Sequence, residues 1–238
     1  MLPLLGDEPD VNQFKQFIAI SICGLFYYIG LLLRKLANSD IFEKRIPDIY
    51  LGGNGSPLLH WLAAGDFDSN SAVNILFKAA LLEAYGISGT GDFKVEMSCN
   101  PGEEVAYGLL TDNISLDFDK EKMRDNSFLT GEVFKDFNNN EFKWDTFLTV
   151  KQLKSGIRIS TKLDQLEAFL NAFDQNSMSP SILPFGKHPE LLDKTWIKVN
   201  QILLKFVGLD ENKIRPEPLF IIVLRELIKI KVDEWTKK

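Results

Sequence analysis

Between Ile49 and Ser56 the chain reads Ile-Tyr-Leu-Gly-Gly-Asn-Gly-Ser, the stretch whose residue types are best suited to receive a ligand. Gly52, Gly53 and Gly55, set around Asn54, bring backbone atoms to a surface without side-chain obstruction, so that a flat base or a sugar can approach closely. Ser56 and Pro57 then read as a hydroxyl N-cap and a proline at the first helical position, and the helix that starts there is expected to offer free N–H groups beside the turn. A tight strand-to-helix turn with no ligand asks for the same glycines.

The remaining chemistry-bearing residues point to structure. The acidic clusters at 66–70, 117–121 and 136–140 tempt a calcium reading. In the first, however, Ser71 stands at the loop's glycine position and Phe77 at that of its bidentate glutamate; in the third, Glu141 and Phe147 stand there. Solvated loops are the expectation. His60 and His188 are the only histidines and have no cysteine or histidine at metal-ligand spacing, which argues against zinc. No Gly-x-Ser-x-Gly elbow supports a serine nucleophile. Cys23 and Cys99 lie in apolar stretches and read as reduced, buried thiols of a cytoplasmic protein. A net charge of -6 argues against a nucleic-acid partner, which would need clustered Lys and Arg.

The elements that would position the turn follow from periodicity. Residues 1–10 lack it and read as a flexible lead-in. A long helix is expected from about 11 to 38, with Gly24 and Gly30 as points of close approach. Its uncharged run from Phe17 to Leu33 is at the short end of what spans a bilayer, but a core helix is the preferred reading. Ile49-Tyr50-Leu51 reads as a buried parallel strand, 57–62 as a short helix, 71–86 as a second helix, and Phe93-Val95-Met97 as the alternating face of a strand. Beyond a charged connector near 112, Asn138-Asn139-Asn140 would turn a hairpin between 132–134 and 142–144. Helices are expected at about 161–174, 188–207 and 216–236, with the polar loop 174–189 as a flexible connection. Trp144, Trp196 and Trp235 are expected in the core of this helical tail, one face of which would be free to dock a protein partner.

About 45 residues after the glycine turn comes a second motif, Asn100-Pro101-Gly102-Glu103-Glu104-Val105-Ala106-Tyr107-Gly108. The pairing resembles the last half of the ATPase domain shared by actin, sugar kinases and the large heat-shock chaperones. There a Gly-Gly strand end is followed by helix, strand and an Asn-Pro-x-Glu-x-Val-Ala-x-Gly helix. The resemblance covers residues 11–112. It implies an α/β, ribonuclease H-like half-domain, with a mostly helical extension over 113–238. It also implies that Gly52, Gly53, Asn54, Gly55 and Ser56 line the base and ribose of ATP, while 100–108 packs the subdomain. The Asp-x-Gly phosphate loop and the second Asp-Gly loop of that family are not found in the sequence. They hold Mg²⁺ and the attacking water, so the resemblance implies a missing half, supplied in cis or in trans, and no catalysis by this chain alone. The rival reading is a non-catalytic interaction module, associated with a membrane through 17–33.

Overall fold

The computed structural model describes residues 9–38, 45–53, 55–87, 91–98, 127–177, 182–186, 189–214 and 217–237. The architecture is mixed α/β, rich in helix and with small sheets. Helix α1 (Pro9–Ala37) is followed by β1 (Ile49–Leu51), α2 (Pro57–Leu62), α3 (Ala72–Tyr85) and β2 (Val95–Met97). Then come β3 (Ser127–Leu129), β4 (Phe134–Asp136), β5 (Glu141–Phe142), β6 (Phe147–Thr149), α4 (Val150–Ser155), β7 (Ile157–Ile159), α5 (Asp164–Asn176), α6 (Pro189–Phe206), a 3-10 turn (Glu211–Lys213) and α7 (Leu219–Trp235).

Helix α1 takes the central place because its inward face is apolar from Phe17 to Leu33. Ala19, Ile20, Cys23, Tyr27 and Leu31 are fully buried, and Phe26 stacks on Phe77 of α3 at 4.8 Å between ring centres. Its two glycines do what their positions suggested. A Cβ at Gly30 would overlap the carbonyl oxygen of Leu81, and one at Gly24 would overlap the end of the Leu224 side chain. On the same helix Tyr27 stacks on Phe220 of α7 at 5.0 Å and meets the edge of Phe169 of α5 at 5.4 Å. The stretches 11–112 and 113–238, separated in the sequence reading, therefore share one apolar core around α1.

Chain ends and connections differ from the sequence expectation in two places. Pro9 and Asp10 are not lead-in but the first residues of α1, since proline at a first helical position gives up only an N–H that would lack a partner there. In the loop expected to be a flexible connection, 182–186 is pinned. The Asp174 carboxylate accepts from the N–H of Phe185 (2.6 Å) and of Gly186 (3.1 Å), Gln16 donates to Leu183 O (2.9 Å), and Ile182 and Phe185 are buried.

The sheets are small. β1 and β2 pair in parallel, Leu51 opposite Met97. β3 and β6 are antiparallel, and β5-β4-β7 form an antiparallel three-stranded sheet. The hairpin at 134–142 forms with Phe134 opposite Phe142, their rings stacked at 4.8 Å, and Asp136 closes its turn by accepting from the N–H groups of Asn138 and Asn140. Strands β3, β6 and β7, three residues each, were not anticipated, because segments so short carry no alternation to detect.

Candidate functional site

The glycine turn sits where α/β proteins place ligands, at the carboxyl ends of parallel strands. Strand β1 ends at Leu51, whose carbonyl accepts from the N–H of Ser98, the residue after β2, at 3.0 Å. The Asp48 side chain ties the other end by accepting from the N–H of Lys94 at 2.8 Å. Tyr50, 63% exposed, lies between two residues that bond β2, so its own N–H and C=O face the opposite edge of β1, where no described strand pairs.

Gly53 adopts φ +93°, a left-handed conformation that only glycine takes without strain. A Cβ built at Gly53 or at Gly55 would meet nothing within 4 Å, so open space lies over both backbones. Crowding therefore does not account for glycine at position 55. Gly52 and Gly55 are exposed, and among the described residues no backbone hydrogen bond uses the N–H of Gly52, Gly53 or Gly55. Asn54 lies outside the described residues, as does the whole 100–108 motif.

Ser56 corrects the sequence reading. It has helical dihedrals and does not cap α2; its hydroxyl donates to Gly53 O at 2.8 Å, which the left-handed glycine turns towards it, and its own N–H donates to the same oxygen at 3.1 Å. Pro57 has no N–H, and Leu58 N donates to Gly55 O at 3.0 Å. The first turn of the six-residue α2 thus has its N–H groups taken, and the unengaged N–H groups here, among the described residues, are those of Gly52, Gly53 and Gly55.

Sequence reasoning missed Ser98. Its Oγ is buried and without a hydrogen-bond partner, one residue from the end of β2 and bonded through its N–H to the end of β1. A serine following an alternating strand gives no signal of this until the strand pairing is known.

The other candidates are structural. His60 Nδ1 accepts from the N–H of Phe67 at 3.0 Å and so fastens α2 to the loop before α3. In the 66–70 cluster Asp68 accepts from the N–H of Asn70, and Ser71 caps α3. No group of three His, Cys, Asp or Glu placed to hold a metal ion occurs among the described residues. The indole of Trp196 donates to Ile159 O at 3.3 Å, that of Trp235 to Asp10 at 3.2 Å, and Trp144 lies under the Arg34 guanidinium at 5.2 Å. Cys23 is a free, buried thiol whose pKa burial pushes up. His188, Cys99 and the 117–121 cluster are outside the described residues.

Compared with family models, with curated proteins and with solved structures, the chain matches none, so the turn's geometry stands as the guide to its use.

Proposed function

We propose that the chain is one half of an ATP site of the kind found in actin, sugar kinases and heat-shock chaperones, built on a ribonuclease H-like fold. Gly52, Gly53, Asn54, Gly55 and Ser56 would receive the adenosine end. The observation that carries this reading is the uncovered backbone at Gly53 and Gly55, at the carboxyl end of a parallel strand pair. The N–H groups already taken at the start of α2 support a division of labour, with the phosphates and Mg²⁺ held by a second half in cis or in trans. The edge of β1 at Tyr50, where no described strand pairs, is where such a half would extend the sheet, since the two described strands form a parallel sheet with an exposed face, incomplete by the usual burial of parallel strands. Hydrolysis is not assigned to this chain alone. Closure of two halves around the nucleotide would couple binding to a change of conformation or assembly in the cytoplasm.

Gly55→Val tests the reading without confounding it by misfolding. Position 55 has no left-handed φ and open space beyond it, so the variant is expected to melt within about 2 °C of the parent, as surface substitutions do. The unaltered protein should gain about 3–5 °C when ATP or adenosine is present at roughly ten times its dissociation constant. The variant should gain nothing. Equal gains in both proteins, or none in either up to millimolar ligand, would remove the turn from consideration.

A second reading, a non-catalytic interaction module, is favoured by the exposure of Leu25 on α1.

A further inference from the structure

Strand β7 lies at the edge of the sheet β5-β4-β7, and its residues turn their backbone groups alternately towards β4 and away from it. The N–H of Ser160 donates to Val133 O at 3.0 Å, so Arg158 and Ser160 face β4, while Ile157 and Ile159 face the outer edge. At Ile159 both outward groups are taken: its N–H donates to Asn200 Oδ1 at 3.0 Å, and its carbonyl accepts from the Trp196 indole at 3.3 Å. At Ile157, a buried residue, neither group enters a hydrogen bond among the described residues. Buried backbone groups are nearly always paired, so this N–H and C=O lack the partner that their position calls for.

Ile157 also lines a groove of about 310 Å³ between the turn of the β4–β5 hairpin and the end of α6. The walls of the groove include Phe137 and Leu204, which at 70% and 66% are the most exposed large apolar side chains among the described residues, and Val207, 48% exposed. Arg158 stands on the same rim. Its guanidinium donates to the Asn139 amide oxygen and, among the described residues, pairs with no carboxylate. The carboxylate of the lining, Asp136, is engaged in its own turn by the N–H groups of Asn138 and Asn140 and by the Asn140 side chain. An unneutralised cation, two apolar walls and an unpaired backbone donor and acceptor thus meet in one place.

The opening is short. Asn200 and Trp196 close the strand edge at Ile159, and the N–H of Gly208 on Lys154 O, at 3.4 Å, ties the end of α6 to α4 on the other side. A long strand could not be added through it, whereas the last residues of a chain could, and a groove of this size is at the small end of ligand sites. We propose that the groove receives the carboxyl terminus of a partner protein that ends in an apolar residue. Its backbone supplies the acceptor and donor that Ile157 lacks, its last side chain covers Phe137 and Leu204, and its terminal carboxylate neutralises Arg158. No residue of the glycine turn takes part, so the inference is independent of the nucleotide reading.

Fluorescence anisotropy of the full chain with a fluorescein-labelled peptide, Gly-Ser-Gly-Ser-Val-Leu with a free carboxylate, should give saturable binding with a dissociation constant of roughly 10–300 µM. The same peptide ending in a carboxamide should bind about tenfold more weakly, since it brings no charge to the guanidinium. Arg158→Gln should bind both forms equally and at the level of the amide. Leu204→Ser should weaken both forms by about fivefold while leaving the acid–amide ratio unchanged. Both positions are exposed, so both variants are expected to fold as the parent does. Absence of saturable binding up to about 1 mM overturns the proposal, as does equal binding of acid and amide by the parent or binding by either variant that matches the parent's. Acetyl-leucine that competes as tightly as the hexapeptide binds would assign the groove to a free acylated amino acid and overturn it likewise.

Discussion

Replacing Glu132 by alanine is expected to cost about 3–5 kcal/mol of folding stability, enough to unfold a marginal domain. Glu132 is fully buried, and its carboxylate accepts from the N–H of Val133 (3.1 Å), Gln165 (3.3 Å) and Leu166 (3.1 Å). The last two are orphan donors of the first turn of α5, whose N-cap residue, Leu163, has no side-chain acceptor. Alanine would leave three donors without this acceptor, the N–H of Leu166 buried and those of Val133 and Gln165 part-buried. Burial pushes the Glu132 pKa up, against the pull of those hydrogen bonds, to about 7 from the usual 4.5, with the nearby Asp164 adding to the rise. The sign of the pH effect follows. The folded state holds this proton more tightly than the unfolded chain, so the stabilisation is complete below pH 4.5 and is lost as pH rises through 7. Over that window the loss is on the order of 3 kcal/mol. Glu132→Gln keeps one acceptor oxygen and cannot titrate. Urea denaturation at a series of pH values should therefore show parent and Glu132→Gln curves that diverge with increasing pH from 4.5 to 7; parallel curves would mean that the carboxyl does not titrate in that range.

Gly30→Ala should cost about 2–4 kcal/mol, or roughly 5–15 °C in melting temperature, although alanine is the better helix former by about 1 kcal/mol. The new methyl would overlap the backbone oxygen of Leu81 and sit 2.8 Å from the Ala84 Cβ, so α1 and α3 would have to move apart. Gly24→Ala makes the contrast. There the obstacle is the end of the Leu224 side chain, which can turn aside, and the gain in helix propensity offsets much of the strain. Thermal melts of the two variants should differ by several degrees, Gly30→Ala melting lower. Equal melting temperatures would show that the α1–α3 contact yields more readily than packed helices do.

The long helices were legible in the sequence because their apolar residues recur at helical spacing over many turns; α1, α3, α6 and α7 lie within a few residues of where periodicity sets them. Positions whose environment comes from distant chain were not. Glu132 reads as one strand residue among others until α5 arrives with an uncapped first turn, and the only local hint is the apolar Leu163 where a capping side chain would be usual. The hairpin was visible in Asn138-Asn139-Asn140, whereas its register depended on the stacking of Phe134 and Phe142 across the strands. At the candidate site, the strand, the turn and α2 were readable from the glycines and Pro57. The direction of the Ser56 hydroxyl was not, because serine both donates and accepts and the left-handed Gly53 decides which. Nor could the sequence place Ser98 beside the turn, since that adjacency is made by the β1–β2 pairing.

The most direct measurement on the central claim is an amide titration of the full chain labelled with ¹⁵N-glycine. Adenosine should move the resonances of Gly52, Gly53 and Gly55 together along one binding curve, and leave Gly131 and Gly156, far along the chain, in place. Adenosine that moves none of the three turn glycines at saturating concentration, or moves other glycines instead, would contradict an adenosine site at this turn.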